Sequence, residues 1–155
     1  MQMTASHGFK EVRIPIMPDI NAAATARIGD ETFPGVLTTA VTQTLNDLFY
    51  KNSVTASFRP AFIGVGRGNG TTAKPTDTGL ADEITRFPLT QLTQSNGITT
   101  ALVNLPVASE GLIEVQEIGV FTNDGVLLAR ATEGVKISNS GNSILNIIWM
   151  LRIDA

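Results

Sequence analysis

The stretch Glu117-Ile118-Gly119-Val120-Phe121-Thr122-Asn123-Asp124-Gly125-Val126-Leu127-Leu128-Ala129-Arg130-Ala131 decides the fold. Two apolar runs flank Asn123, Asp124 and Gly125, and Asp-Gly tolerates the positive φ angles of the tight turns that join antiparallel strands. The segment therefore reads as a β-hairpin, with strands expected over residues 113–121 and 126–131. Gly119 falls inside the first strand, where an absent side chain marks a bulge or the close approach of other atoms.

Working outward, further strands are expected at residues 61–65, 84–89, 99–105 and 143–153. In the last of these, Leu145, Ile147, Trp149, Leu151 and Ile153 share one face by the period of two, which makes that face core. The opposite face, Ile144, Asn146, Ile148, Met150 and Arg152, is mixed, as expected of partial cover by a helix or another subunit. Residues 66–78 contain Gly66, Gly68, Gly70 and Pro75 and read as a polar loop.

Toward the N-terminus, Leu37, Val41, Leu45 and Leu48 recur at spacings of three and four, Phe49 widens the stripe, and Pro34 suits a first helical turn. A helix is expected over about 35–51. Thr38, Thr39, Thr42, Gln43 and Asn46 on its other face have little intrinsic helicity, so it depends on what it packs against. Residues 1–34 hold neither period and read as an extended arm. Within the arm Val12, Ile14 and Ile16 alternate with Arg13 and Pro15, giving a short strand able to add to its own sheet or to a neighbour's, with Pro15 limiting it to one hydrogen-bonding side. The fold class is α+β and β-rich. One domain, residues 35–155, is a single antiparallel β-sheet or sandwich with one N-terminal helix, preceded by the arm.

Composition narrows the function. The chain has 155 residues, a net charge of -3 and no run of Lys or Arg, so it lacks the positive footprint that displaces counterions from phosphate, and no nucleic-acid partner is expected. There is no cysteine, which removes disulfides, thiolate metal sites and thiol nucleophiles. Neither a signal peptide nor a spanning apolar stretch is read, so no membrane insertion is expected. Charged residues make up only 16%, with Thr, Asn and Ser in their place, as on a surface partly covered by partners or simply polar without charge.

Catalytic chemistry finds little to stand on. The glycines at 64, 66, 68 and 70 fail as a dinucleotide fingerprint, because Asn69 stands where the third glycine belongs, and no Gly-Lys-Ser/Thr follows for a phosphate loop. A flexible or interface loop is the better reading. His7 is the single histidine and has no evident partners for a triad or zinc site. Asp82 and Glu83 are adjacent carboxylates in a polar loop, expected to be solvated, and Glu114 and Glu117 differ in strand phase and so face opposite ways. No catalytic, cofactor-binding or metal-ligating residue is assigned, and no enzyme activity is expected.

Taken in order, Phe62-Ile63-Gly64-Val65-Gly66, Asp77-Thr78-Gly79-Leu80, Glu83 with Arg86, Glu117-Ile118-Gly119-Val120-Phe121, Asn123-Asp124-Gly125, Leu127-Leu128-Ala129-Arg130 and Ile148-Trp149-Met150-Leu151 form a recognisable pattern. It resembles the phage tail-collar and tail-fibre attachment domain, over roughly residues 58–153. The resemblance implies a non-enzymatic structural protein of the virion tail or baseplate, made in the host cytoplasm. It would be an adaptor attaching fibres or neighbouring baseplate subunits, and a homo-oligomer within that assembly. A host-surface module binding a glycan or receptor is the alternative. Fibre proteins that resemble this domain continue into a shaft and tip, whereas this chain stops at Ala155, which argues against direct receptor recognition. Val12, Ile14 and Ile16 of the arm and Arg67 and Asn69 of the loop are the expected interface residues. Glu117, if buried, requires a partner such as Arg86 or Arg130; at an edge it would stay solvated.

Overall fold

The computed structural model describes residues 14–17, 20–51, 58–105, 114–137 and 145–154. Among these are ten strands and one helix: β1 (Ile14–Met17), β2 (Ile20–Ile28), β3 (Glu31–Leu37), α1 (Thr39–Lys51), β4 (Pro60–Gly66), β5 (Glu83–Pro88), β6 (Gln91–Ser95), β7 (Ile98–Leu105), β8 (Glu117–Thr122), β9 (Leu127–Ala131) and β10 (Leu145–Asp154). Nine strands follow one antiparallel path, β5-β4-β8-β9-β3-β2-β10-β7-β6, and β1 adds beside β2.

The path curls into a half-barrel because two segments turn corners. β3 pairs with β2 through Gly35, opposite Ala24, and then with β9 through Val36 and Leu37. At the other end β5 and β6, the two ends of the path, are joined by Leu89 and Thr90 alone. Leu89 N–H donates to the Ala61 carbonyl (3.0 Å) and Thr90 N–H to that of Leu102 (2.7 Å), so the chain passes from β4 to β7 within two residues. A strand that changes neighbours in this way lets one sheet fold over its own core.

That core is a problem in volumes solved by pairing large with small. Trp149 of β10, fully buried, lies opposite Ala26 on one side and Ala101 on the other. From the facing layer Ile63, Val120, Ala129 and Leu37 line up across β4, β8, β9 and β3. Among the described residues the Trp149 indole Nε1 finds no hydrogen-bond partner, so the contribution of this side chain is volume. Ile147 and Trp149 are buried and Asn146 is exposed, the alternation expected for this strand. Ile148 on the opposite face is also buried.

Three expectations are corrected. Residues 20–34 are not arm: β2 and most of β3 lie there, and Ala22, Ala24, Ala26, Ile28 and Phe33 are buried core. The alanines hide the strand period, since a face that must admit Trp149 cannot carry the β-branched residues by which strands are recognised. Pro34 belongs to β3 and not to the helix; it is tolerated because, among the described residues, this part of β3 has a paired strand on one side only. The helix consequently starts at Thr39, and the buried Thr38 turns its hydroxyl to the Leu127 carbonyl of β9 (2.6 Å). Finally, the strand expected over 113–121 begins at Glu117, and Glu114 lies in an exposed turn.

The Asn123-Asp124-Gly125 hairpin is present, with Gly125 at φ 85° and its N–H donating to the Thr122 carbonyl (3.0 Å). A second hairpin has its first strand, β6, outside those expected from the sequence. Between β6 and β7, Asn96 (φ 53°) and Gly97 (φ 78°) form a two-residue turn in which both residues are left-handed. Asn-Gly was the available signal. It was obscured because β6, Gln91-Leu92-Thr93-Gln94-Ser95, has only one apolar residue.

Candidate functional site

On the outer face of the second layer, Arg86, Gly64, Gly119 and Arg130 stand side by side across β5, β4, β8 and β9. The two glycines leave a depression between two arginines, and Leu80 from the loop fills it. A Cβ at Gly119 would lie 2.9 Å from Leu80 Cδ2, 3.0 Å from Leu127 Cδ1 and 3.3 Å from Phe121 Cε2, so three apolar side chains meet there. Arg86 covers this group from outside, its Cζ 3.7 Å from the Phe121 ring centroid, while its Nη2 pairs with Glu83 Oε1 at 2.7 Å.

Glu117 is the centre of the adjoining polar layer and is completely buried. Its Oε1 accepts from Arg130 Nε (2.9 Å) and from Ala81 N–H (2.8 Å), and its Oε2 accepts from the N–H groups of Gly68 and Asp82 (both 2.8 Å). Arg130, 2% exposed, also donates through Nη1 to Asp77 Oδ2 (2.9 Å) and through Nη2 to the Thr71 hydroxyl. Of the two arginines open to Glu117 in the sequence, Arg130 is the partner and Arg86 is taken by Glu83. Every charge of the buried set faces an opposite charge or an N–H dipole, as a buried carboxylate requires.

This network pins residues 67–82 along their length. The ends are held by Arg67 N–H on the Asp82 carbonyl (2.9 Å) and Gln116 N–H on the Gly66 carbonyl (2.8 Å). The middle is held by Ala73 N–H on the Thr132 hydroxyl (3.0 Å) and by Thr39 N–H, at the start of α1, on the Pro75 carbonyl (2.8 Å). The glycine loop is thus a clamped loop, not a flexible one. The N–H groups of Gly68, Ala81 and Asp82 face the Glu117 carboxylate, so they are not offered to a phosphate.

Gly66 is required by closeness. A Cβ there would sit 2.5 Å from the Asp82 carbonyl oxygen and 2.6 Å from Glu117 Oε2. Gly66→Ala is expected to lose roughly 1–3 kcal/mol in urea unfolding, as overpacking does. Gly70→Ala, where the new Cβ meets nothing within 4 Å, is expected to cost only the roughly 1–2 kcal/mol of a left-handed backbone at φ 70°. Equal midpoints for Gly66→Ala and wild type would refute the close approach.

The expected interface residues separate. Arg67 and Asn69 lie together on the exposed part of the clamped loop. Arg67 Nε donates to Glu114 Oε2 (3.0 Å) and its Nη1 lies 3.6 Å from Asp82 Oδ2; the Glu114 hydrogen bond holds the guanidinium pKa above its ordinary value. Asn69 takes φ 49° in the turn. Ile14 and Ile16 belong to β1, whose backbone pairs with β2 of its own sheet, and Val12 and His7 lie outside the described residues. Asp82 and Glu83, read as solvated, each face an arginine. Among the described residues no group of three or more His, Asp or Glu could hold a metal ion, and no helix is long and apolar enough to cross a membrane.

Comparison with protein-family models, with curated proteins and with solved structures returns no match to this chain.

Proposed function

We propose that this chain is a non-enzymatic structural component of a phage tail or baseplate, an adaptor that attaches fibres or neighbouring subunits through protein contacts. The observation that carries the reading is that the residues of the tail-fibre-attachment resemblance form one packed unit. Gly64, Gly66, Asp77, Leu80, Arg86, Glu117, Gly119, Phe121 and Arg130 lie far apart in sequence, yet they build the clamp and the depression beneath it. Their charges are spent on holding a loop, which suits a rigid surface for docking better than a site for turnover. Arg67 and Asn69 are among the exposed residues of that loop.

The test is location. An antibody to the chain, applied to particles released by the cells that make it, is expected to decorate the tail end in electron microscopy. Labelling of the capsid, or absence from particles, would overturn the proposal. A variant carrying Arg67→Ala and Asn69→Gly is expected to unfold within about 0.5 kcal/mol of wild type, because exposed pairs contribute little and glycine accepts the φ of Asn69. It should nevertheless be depleted from tails. Wild-type incorporation would remove these two residues from the interface.

A further inference from the structure

Strand edges carry unpaired N–H and C=O groups, and folded proteins protect them with proline, charge or irregularity. Among the described residues four stretches of four or more residues have one side unpaired: β1, residues 31–35 of β3, β5 and β6. Three of them contain a proline: Pro15 in β1, Pro34 in β3 and Pro88 in β5. β5 carries Glu83 and Arg86 as well. β6, Gln91-Leu92-Thr93-Gln94-Ser95, has neither proline nor charge, and it pairs in unbroken register with β7 on its inner side. Leu92 points to the core, while Gln91, Thr93, Gln94 and Ser95 are exposed.

We propose that the outer edge of β6 pairs with the same edge of a second copy, antiparallel about a two-fold axis centred on Thr93. The inference rests on the reading of this chain as an assembling structural module and names the surface it uses. A second copy fits because self-pairing is where charge does most harm: in a two-fold arrangement each side chain meets a symmetry-related one. Thr93 would face Thr93 of the second copy, Gln91 would face Ser95, and Leu92 would face Gln94. Threonine pairs and polar amides are favourable cross-strand neighbours, and β6 itself brings no like charges together. The β6–β7 hairpin has the shortest tight turn of the favoured kind, Asn96-Gly97, which keeps β6 in register with β7 up to its last residue, Ser95.

Light scattering of the purified full chain, over a concentration series up to its solubility limit, is expected to reach the mass of two 16.5 kDa chains. Thr93→Lys and Thr93→Glu, each placing like charges opposite one another, are expected to give single chains with an unchanged melting temperature. Mixing the two variants should restore the dimer, because unlike charges then face each other. A wild-type chain that stays single throughout, or a Thr93→Lys chain that dimerises as wild type does, overturns the proposal. Should the variants fold poorly, amide exchange in wild type decides: the outward-facing backbone N–H groups of β6, those of Leu92 and Gln94, should exchange more slowly as concentration rises, and concentration-independent exchange there counts against pairing. A single chain that still decorates tails defeats this inference alone. A dimer through β6 that never reaches a particle defeats the tail assignment alone.

Discussion

Replacing Glu117 by alanine is expected to destabilise the chain by roughly 3–5 kcal/mol, a fall of roughly 6–20 °C in melting temperature for a protein of this size. The cost has two parts. The substitution leaves the Arg130 guanidinium, 2% exposed, without the carboxylate on its Nε side, and it deprives Gly68, Ala81 and Asp82 of the acceptor for their N–H groups. Arg130→Met is expected to cost less, because the remaining carboxylate keeps those three backbone donors. Replacing both by apolar residues should cost less than the sum of the single changes, since no buried charge is then stranded. Limited proteolysis supplies a second readout: in Glu117→Ala the first cleavages should fall within residues 67–82. A loss below about 1 kcal/mol with an intact loop would show that the pair does not hold it.

The second large effect is expected at the corner of β3. A Cβ at Gly35 would lie 2.4 Å from Trp149 Cζ3 and 2.9 Å from the Ala24 carbonyl oxygen. An indole fully buried between Ala26 and Ala101 has no room to retreat, so Gly35→Ala is expected to cost roughly 1–3 kcal/mol or more. Trp149→Leu vacates the space at the cost of a cavity, bounded by the roughly 3–5 kcal/mol of truncating a large aromatic to alanine. The pair is the informative measurement. Gly35→Ala added to Trp149→Leu should cost clearly less than it does in wild type, the signature of two residues competing for one volume. Full additivity in urea unfolding would mean that Gly35 is required for its backbone and not for the indole.

The β elements most readable in advance were β4, β5, β7 and β8 with β9 across Asp124-Gly125, apolar or β-prone runs beside turn residues, and β10 by its alternation. What could not be read is equally specific. β2 was missed because its inward residues are alanines, and their smallness makes sense only once Trp149 is known to lie across them. β6 was missed because it is an edge strand with a single apolar residue. Pro34 pointed to a helix start by local preference, while in the fold the absence of a neighbour on one side of β3 makes it a strand residue. For the site, the need of a buried Glu117 for an arginine was legible, but the choice between Arg86 and Arg130 was not.

Sequence by itself determined the β-rich class, the tight hairpin, the core face of the last strand, and Gly119 as a strand position where an absent side chain marks close approach. These follow from period, turn chemistry and side-chain volume, all of which act between neighbours in the chain. Tertiary structure alone decided that β3 and the Leu89–Thr90 link turn the sheet over its own core. It also decided that Glu117 meets Arg130 and that the glycine loop is pinned from Arg67 to Asp82. The reason is distance along the chain: Gly68 and Glu117 are 49 residues apart and Arg130 and Asp77 are 53 apart. No local preference encodes such contacts, which form only when the layers that carry them have packed.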